Sequence, residues 1–230
     1  MPLMKTVLGC VTIGQSPRVD VVPDLAAVLG DGIAIVEAGA LDGLTLAAVS
    51  ALAPRPGNIA LASRMADGTA IALGKENILD LVQGAITRVA ELGATGILLL
   101  CTGKFPAFRS RIPIYTPDCL LHGAVDALVP SGKRLGVLCP LPIQVAYAPT
   151  KWMREGREVV AVSASPYYAE DRFIAEARAL LGYAPDIVLM DCMGYRRTHK
   201  KAVAELFAGT PVILANTAAA RLLAEVLECA

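Results

Sequence analysis

Ile97–Leu98–Leu99–Leu100–Cys101–Thr102–Gly103–Lys104 and, further along, Ile187–Val188–Leu189–Met190–Asp191–Cys192–Met193–Gly194–Tyr195 share one layout: an unbroken apolar run, a thiol, then a glycine. A run that is apolar at every position, rather than every second one, is a strand buried on both faces, as in a parallel sheet covered by helices. Working outward, short β-rich runs alternate with helix-period segments along the whole chain, which predicts an α/β fold with mainly parallel sheets. The first series of strands is expected near Lys5–Thr12, Ile33–Ala38, Ile59–Arg64 and Gly96–Leu100. The second is expected near Arg134–Cys139, Glu158–Val162, Ile187–Asp191 and Pro211–Ala215. The Ala66–Asp67–Gly68 turn is placed to close a hairpin, an antiparallel addition to the first half.

Glu76–Leu92 is the clearest helix, with Ile78, Leu81, Val82, Ala85, Ile86 and Val89 on one stripe and Gly93 as its stop. Pro113 and Pro117 bracket a short extended segment between the two series, so a first half over 1–115 and a second over 116–216 would face each other across a cleft. The last segment, 217–230, carries Leu222, Leu223, Val226 and Leu227 on one side and is expected to return as a helix to the first half.

Composition narrows the function classes. Hydrophobic residues make up 55% of the 230 positions and aromatics only 5%, enough for a large core of aliphatic strands and alanine-rich helices. Acidic and basic residues balance and the basic ones are scattered, so nucleic acid is not an expected partner. The longest uncharged run, Leu135 to Thr150, is too short to span a bilayer and contains three prolines, so no membrane span is expected. Met1 to Cys10 has no basic n-region or cleavage site, and the six cysteines lack a C-x-x-C pair, which together read as reduced thiols in the cytoplasm. With two distant histidines there is no metal-ligand spacing either.

In open α/β sheets ligands bind beyond the carboxyl ends of the strands, which selects the candidate site. Cys101 and Cys192 stand at two such ends, where they would approach one carbon from opposite sides. A thiol near a helix N-terminus or a cation such as Lys104 is expected to titrate low. Thr102, Gly103 and Gly194 follow the thiols. Gly14, Gln15, Ser16 and Arg18 form a strand-to-helix turn whose free N–H groups and guanidinium suit a carboxylate, or else merely cap the helix. Tyr195 is read either as a donor to a substrate oxygen or as a packing residue. Gln144, Tyr147 and Cys139 border the expected cleft, whereas Asp191 is read as its own strand's anchor. His199 lies in a basic run from Arg196 to Lys201 that suits a solvated helix face and is a weak candidate for a general acid. Cys10, Cys119 and Cys229 read as structural.

From Thr12–Ile13–Gly14–Gln15–Ser16–Pro17–Arg18 onward the chain resembles the AroM family, a group related to cysteine-dependent racemases of the aspartate/glutamate racemase superfamily. The likeness continues through Glu37–Ala38–Gly39–Ala40–Leu41–Asp42–Gly43–Leu44, Leu61–Ala62–Ser63–Arg64–Met65–Ala66–Asp67–Gly68–Thr69, Leu100–Cys101–Thr102–Gly103, Lys151–Trp152 and Asp191–Cys192–Met193–Gly194–Tyr195. It implies two pseudo-symmetric flavodoxin-like halves, with Cys101 and Cys192 as acid and base on a small carboxylate and no cofactor. Amino-acid racemases of the group usually follow the first cysteine with Asn-Thr and the second with Thr; here the followers are Thr102–Gly103 and Met193–Gly194. Some superfamily decarboxylases use only the second thiol. A one-cysteine decarboxylase or isomerase and a non-catalytic carboxylate-binding protein therefore stand beside the two-thiol racemase or isomerase. A homodimer is also compatible with so apolar a chain.

Overall fold

The computed structural model describes residues 6–227; Lys5 and Cys229 lie outside the described residues. In chain order the elements are β1 (Val7–Thr12), α1 (Val22–Leu29), β2 (Ala34–Gly39), α2 (Leu46–Ser50), β3 (Ala60–Arg64), β4 (Ala70–Gly74), α3 (Leu79–Glu91), β5 (Gly96–Leu99) and β6 (Ile114–Tyr115). They continue with α4 (Pro117–Leu128), β7 (Arg134–Cys139), α5 (Ala148–Trp152), β8 (Glu158–Ser163), α6 (Glu170–Ala177), β9 (Ile187–Met190), α7 (Arg197–Leu206), β10 (Val212–Leu214) and α8 (Ala215–Leu227).

Two four-stranded sheets, parallel throughout, run β2-β1-β5-β6 and β8-β7-β9-β10. Read in that direction the halves have the same topology, so β5 and β9 are equivalent strands. Each sheet is buried on both faces. In the first, Val11, Ile97 and Leu99 pack toward α3, while Leu8, Cys10, Leu98 and Leu100 pack toward α1 and α8. In the second, Leu138, Val188 and Met190 face α6 and α7, while Leu135, Val137 and Leu189 face α4 and α5. That two-sided burial is why the strands are apolar at consecutive positions.

The likeness of the halves extends to close approaches. Gly9, third in β1, has no room for a Cβ, which would lie 2.8 Å from Val89 of α3; Gly136, third in β7, would place one 2.8 Å from Pro185. A side chain at either position would push the neighbouring layer off the central strand.

For three elements the structure adds or changes details of the sequence reading. The β3–β4 hairpin forms as expected, an antiparallel addition to the first half around a turn in which Thr69 N–H bonds Asp67, and it stands as its own two-stranded sheet. The expected helix from Glu76 begins as a 3₁₀ turn over Lys75–Asn77, because Asn77 is bonded to Leu52 and Ala53 carbonyls and Glu76 accepts from Ile59 N–H. The segment after Leu214 enters α8 directly, and α8 packs Ala220, Leu223, Ala224 and Leu227 against Leu8, Val21, Leu25 and Leu98. Among the described residues no helix is long and apolar enough to cross a membrane.

Candidate active site

Both thiols open onto one cavity of about 140 Å³ between the halves. Its wall takes Ile59–Ala62 from the hairpin and Leu100–Lys104 from the end of β5, then Cys139, Pro140 and Gln144 beyond β7, and Asp191, Cys192 and Gly194 beyond β9. Ile143, Tyr147, Ala148, Lys151 and Tyr167 complete it. The site therefore sits where parallel strands lead off to opposite sides of each sheet, the position expected for a ligand in this architecture.

The two thiols have the same local backbone. Cys101 N–H bonds Leu99 C=O at 2.8 Å, and Cys192 N–H bonds Met190 C=O at 3.0 Å, so each strand ends in a tight turn that aims the side chain off the sheet. The N–H two residues on then donates to sulfur, Gly103 to Cys101 Sγ and Gly194 to Cys192 Sγ, both at 3.4 Å. Gly103 and Gly194 thus serve the thiols themselves. Gly194 has a second role: a Cβ there would lie 2.5 Å from Tyr167 Oη, so its absence seats the Tyr167 ring against the Cys192 loop. The N–H groups of Thr102 and Met193, the residue after each thiol, have no acceptor among the described residues.

Burial outweighs these donors in setting the protonation state. It pushes Cys101 up to about 11, opposed by the Gly103 N–H and the charges of Lys151 and Arg18. It pushes Cys192 up to about 12, opposed by the Gly194 N–H and Arg18 and reinforced by the nearby Cys101. The expectation of low-titrating thiols is therefore reversed. Lys104 stands on the exposed part of the wall, and Lys151 and Arg18 are the cations whose charges favour the thiolate. Both come too late to overcome the loss of water around a buried sulfur.

Asp191 is more than an anchor. Its two oxygens accept Lys151 Nζ, each at 2.9 Å, and Oδ2 also accepts Trp152 Nε1 at 2.7 Å. Lys151 gives its third bond to Thr102 C=O at 2.7 Å, and Thr102 Oγ1 donates to Asp191 C=O at 3.2 Å. This network joins the loop behind Cys101 to the loop bearing Cys192. Thr102 is thus on the wall, but its hydroxyl is committed to holding the halves in register.

The turn at Gly14, Gln15, Ser16 and Arg18 is not part of the cavity wall. Its backbone donors and the Ser16 hydroxyl are consumed within the first half: Gly14 N–H bonds Thr12 Oγ1, Gln15 N–H bonds Arg64 C=O, Ser16 N–H and Oγ bond Asp42, and Arg18 N–H bonds Glu37. Gln15 Nε2 ties Leu41 and Leu44 carbonyls together. Arg18 is 2% exposed and bonded to both oxygens of Asp20, to Thr12 and to Tyr167 Oη, so it acts on the thiols through its field rather than by contact with a ligand. Nor does the turn cap α1, which starts at Val22 without a side-chain cap.

Tyr195 is the packing residue of the two readings: it is fully buried against Phe173 and His199, with its hydroxyl donating to Ala164 C=O at 2.6 Å. His199 lies in the same layer, away from the cavity, and burial followed by the Arg196 charge lowers it to about 4. Gln144, Tyr147 and Cys139 do border the cavity. Tyr167 and the hairpin wall were missed, although Tyr167 follows the exit of β8 and the strand-end argument applies to it equally.

A family model described as AroM protein matches residues 8–227. The chain belongs to the AroM family. No protein of curated function matches it in sequence. Solved structures share the fold across almost the whole of this AroM chain. Glutamate racemase from Francisella tularensis subsp. tularensis SCHU S4 with D-glutamate is 15% identical, with a TM-score of 0.61 over 98% of this chain and 82% of that one. A double mutant of arylmalonate decarboxylase in its liganded form is 15% identical, with a TM-score of 0.60 over 96% and 92%. Picrophilus torridus aspartate racemase is 14% identical, with a TM-score of 0.56 over 97% and 94%. The AroM chain thus shares the α/β fold of these racemases and this decarboxylase.

Proposed function

We propose that this AroM chain is a cofactor-independent enzyme of the racemase or isomerase type that moves a proton at the carbon alpha to the carboxylate of a small acid, with Cys101 and Cys192 as its acid/base pair. The observation that carries the reading is the matched placement of the two thiols, one from each half, on a single cavity with the same N–H-to-sulfur bond behind each. One sulfur, as thiolate, takes the α-hydrogen and becomes a thiol; the C–H electron pair moves into the carboxylate as an enediolate; the other S–H gives its proton to the opposite face. The enediolate needs donors in a dry cavity, and the Thr102 N–H and Lys104 are the groups offered. The free thiols suit a reducing compartment.

The upward displacement of both thiols favours a second reading in which one acts purely as an acid. Loss of carbon dioxide from a second carboxylate would itself generate the enediolate; Cys192 S–H would then protonate carbon, and the thiolate would recover its proton from water. Such a reaction consumes one proton per turnover and needs no thiolate at the start.

Solvent-deuterium incorporation separates the readings when wild type, Cys101→Ser and Cys192→Ser are incubated in D2O with 2-substituted mono- and dicarboxylic acids. A positioned acid or base contributes about 10²–10⁴-fold. Two-thiol chemistry predicts that either substitution costs that much. Carbon dioxide release that survives Cys101→Ser but not Cys192→Ser selects the decarboxylase, and ligand binding with neither exchange nor gas release would leave a binding protein.

A further inference from the structure

The cavity wall is unusual in what its polar groups are already doing. Its one carboxylate, Asp191, is bonded to Lys151 and Trp152. Lys151 has given all three of its protons to Asp191 and Thr102 C=O. The Gln144 amide is likewise engaged at both ends, Nε2 donating to Ala60 C=O at 3.0 Å and Oε1 accepting Leu141 N–H at 3.2 Å. Tyr167 Oη accepts from Arg18 at 3.4 Å. A ligand therefore meets thiols, the unspent Thr102 N–H and the exposed Lys104, but no uncommitted side-chain carboxylate or side-chain amide oxygen among the described residues. That inventory receives an anion and has no free carboxylate to pair with an ammonium group, whose charge needs a partner when it leaves water.

Around the same opening stand three large apolar residues left in solvent: Ile59 at 44%, Ile143 at 53% and Tyr147 at 55% exposed. Ile59 comes from the first half, the other two from the second, and Leu61, Ala62 and Pro140 continue the apolar surface inward. Exposed apolar residues gathered on a cavity mouth mark a surface that ligand covers.

We propose, building on the proton-transfer reading above, that the substrate is a carboxylic acid whose α-carbon carries an alkyl or aryl group and no amino group. The carboxylate turns toward the loops after the thiols, and the apolar substituent lies against Ile59, Ile143 and Tyr147. An α-amino acid of the same shape would strip its ammonium of water with no free carboxylate to pair the charge. An apolar cavity of about 150 Å³ admits a molecule the size of benzene, so the part of the acid that enters the cavity is of that order.

The test uses matched pairs that differ only in the amino group: 2-phenylpropionate against 2-phenylglycine, and hexanoate against norleucine. Each is assayed for protection of Cys101 and Cys192 from iodoacetamide, read by peptide mass spectrometry, which reports binding whether or not chemistry follows. The unaminated acid should protect at a concentration at least about tenfold lower, equivalent to about 1.4 kcal/mol. Ile143→Asp should abolish that preference while Trp152 fluorescence keeps its folded value. Equal or better protection by the amino acids, or no protection by any of the four, overturns the proposal. Deuterium exchange run on the same pairs keeps the two readings apart: preference for the unaminated acid without exchange retains the ligand class and removes the chemistry. Exchange confined to the amino acids does the reverse.

Discussion

A thiol surrounded by carbon is a poor acid, and the thiols of this cavity show the consequence. Near the ordinary value of about 9 the unfolded chain begins to release the Cys101 proton, whereas burial keeps it on the folded protein to about 11. The folded state therefore binds the proton more tightly, its contribution to stability is intact below about pH 9, and it is lost as pH rises toward about 11. A two-unit displacement corresponds to about 3 kcal/mol. Urea unfolding of wild type should weaken between those limits by about that amount more than Cys101→Ser, in which the group is gone. A parallel pH dependence in the two proteins would show that the sulfur is already hydrated. The same property bears on catalysis, since a thiol that holds its proton at neutral pH is ready to donate, and any base role requires that bound substrate or the Arg18 and Lys151 charges stabilise the thiolate further.

At the scale of elements, the short helix α5 connects the halves. Lys151, near its end, bridges Thr102 C=O behind β5 to the Asp191 carboxylate behind β9, and Trp152 beside it adds a bond to the same carboxylate. Lys151→Met should leave Asp191, 8% exposed, with Trp152 as its remaining side-chain donor. Breaking a buried ion pair costs about 3–5 kcal/mol, and with Lys151 itself 23% exposed the loss should fall near about 2 kcal/mol. Thermal unfolding measures that loss. If the bridge positions the thiol loops, the kcat of any exchange activity should fall more than its KM changes, and Lys151→Arg should restore part of it. The strands, their parallel order and the stripe of α3 were legible because consecutive apolar residues and helical periodicity report burial directly. Cys101 and Cys192 were legible because strand ends are where such folds place ligands. Arg18 and Lys151 exchanged importance for one reason: sequence shows a cation but not its counter-ion, and only the fold puts Asp20 against the first and Asp191 against the second. Tyr195 and Tyr167 were told apart only by which hydroxyl found a backbone carbonyl and which faced the cavity.

Across the whole molecule, bonds between the halves are numerous enough to ask whether they unfold separately. We propose the units 1–115 and 116–216, with 217–230 as the returning helix. Between them run Thr102 to Asp191, Lys151 to Thr102, Gln144 to Ala60, Arg18 to Tyr167 and Arg197 N–H to Asp24. The helix α8 follows directly on β10 of the second sheet and then buries Leu223 completely among Leu8, Leu25 and Leu98 of the first. Leu223→Ala should cost about 2–5 kcal/mol, mainly from contacts on the first half. Trp152, the single tryptophan, is buried in the second half and reports there alone. Cooperative unfolding predicts that urea transitions followed by Trp152 fluorescence and by far-UV circular dichroism coincide in wild type, and that Leu223→Ala moves both to lower denaturant together. A variant in which the circular dichroism transition splits while Trp152 keeps its wild-type midpoint would show that the halves fold independently. The cavity would then be a hinge between two bodies, and the thiol spacing on which two-thiol proton transfer depends would be set by ligand rather than by the fold.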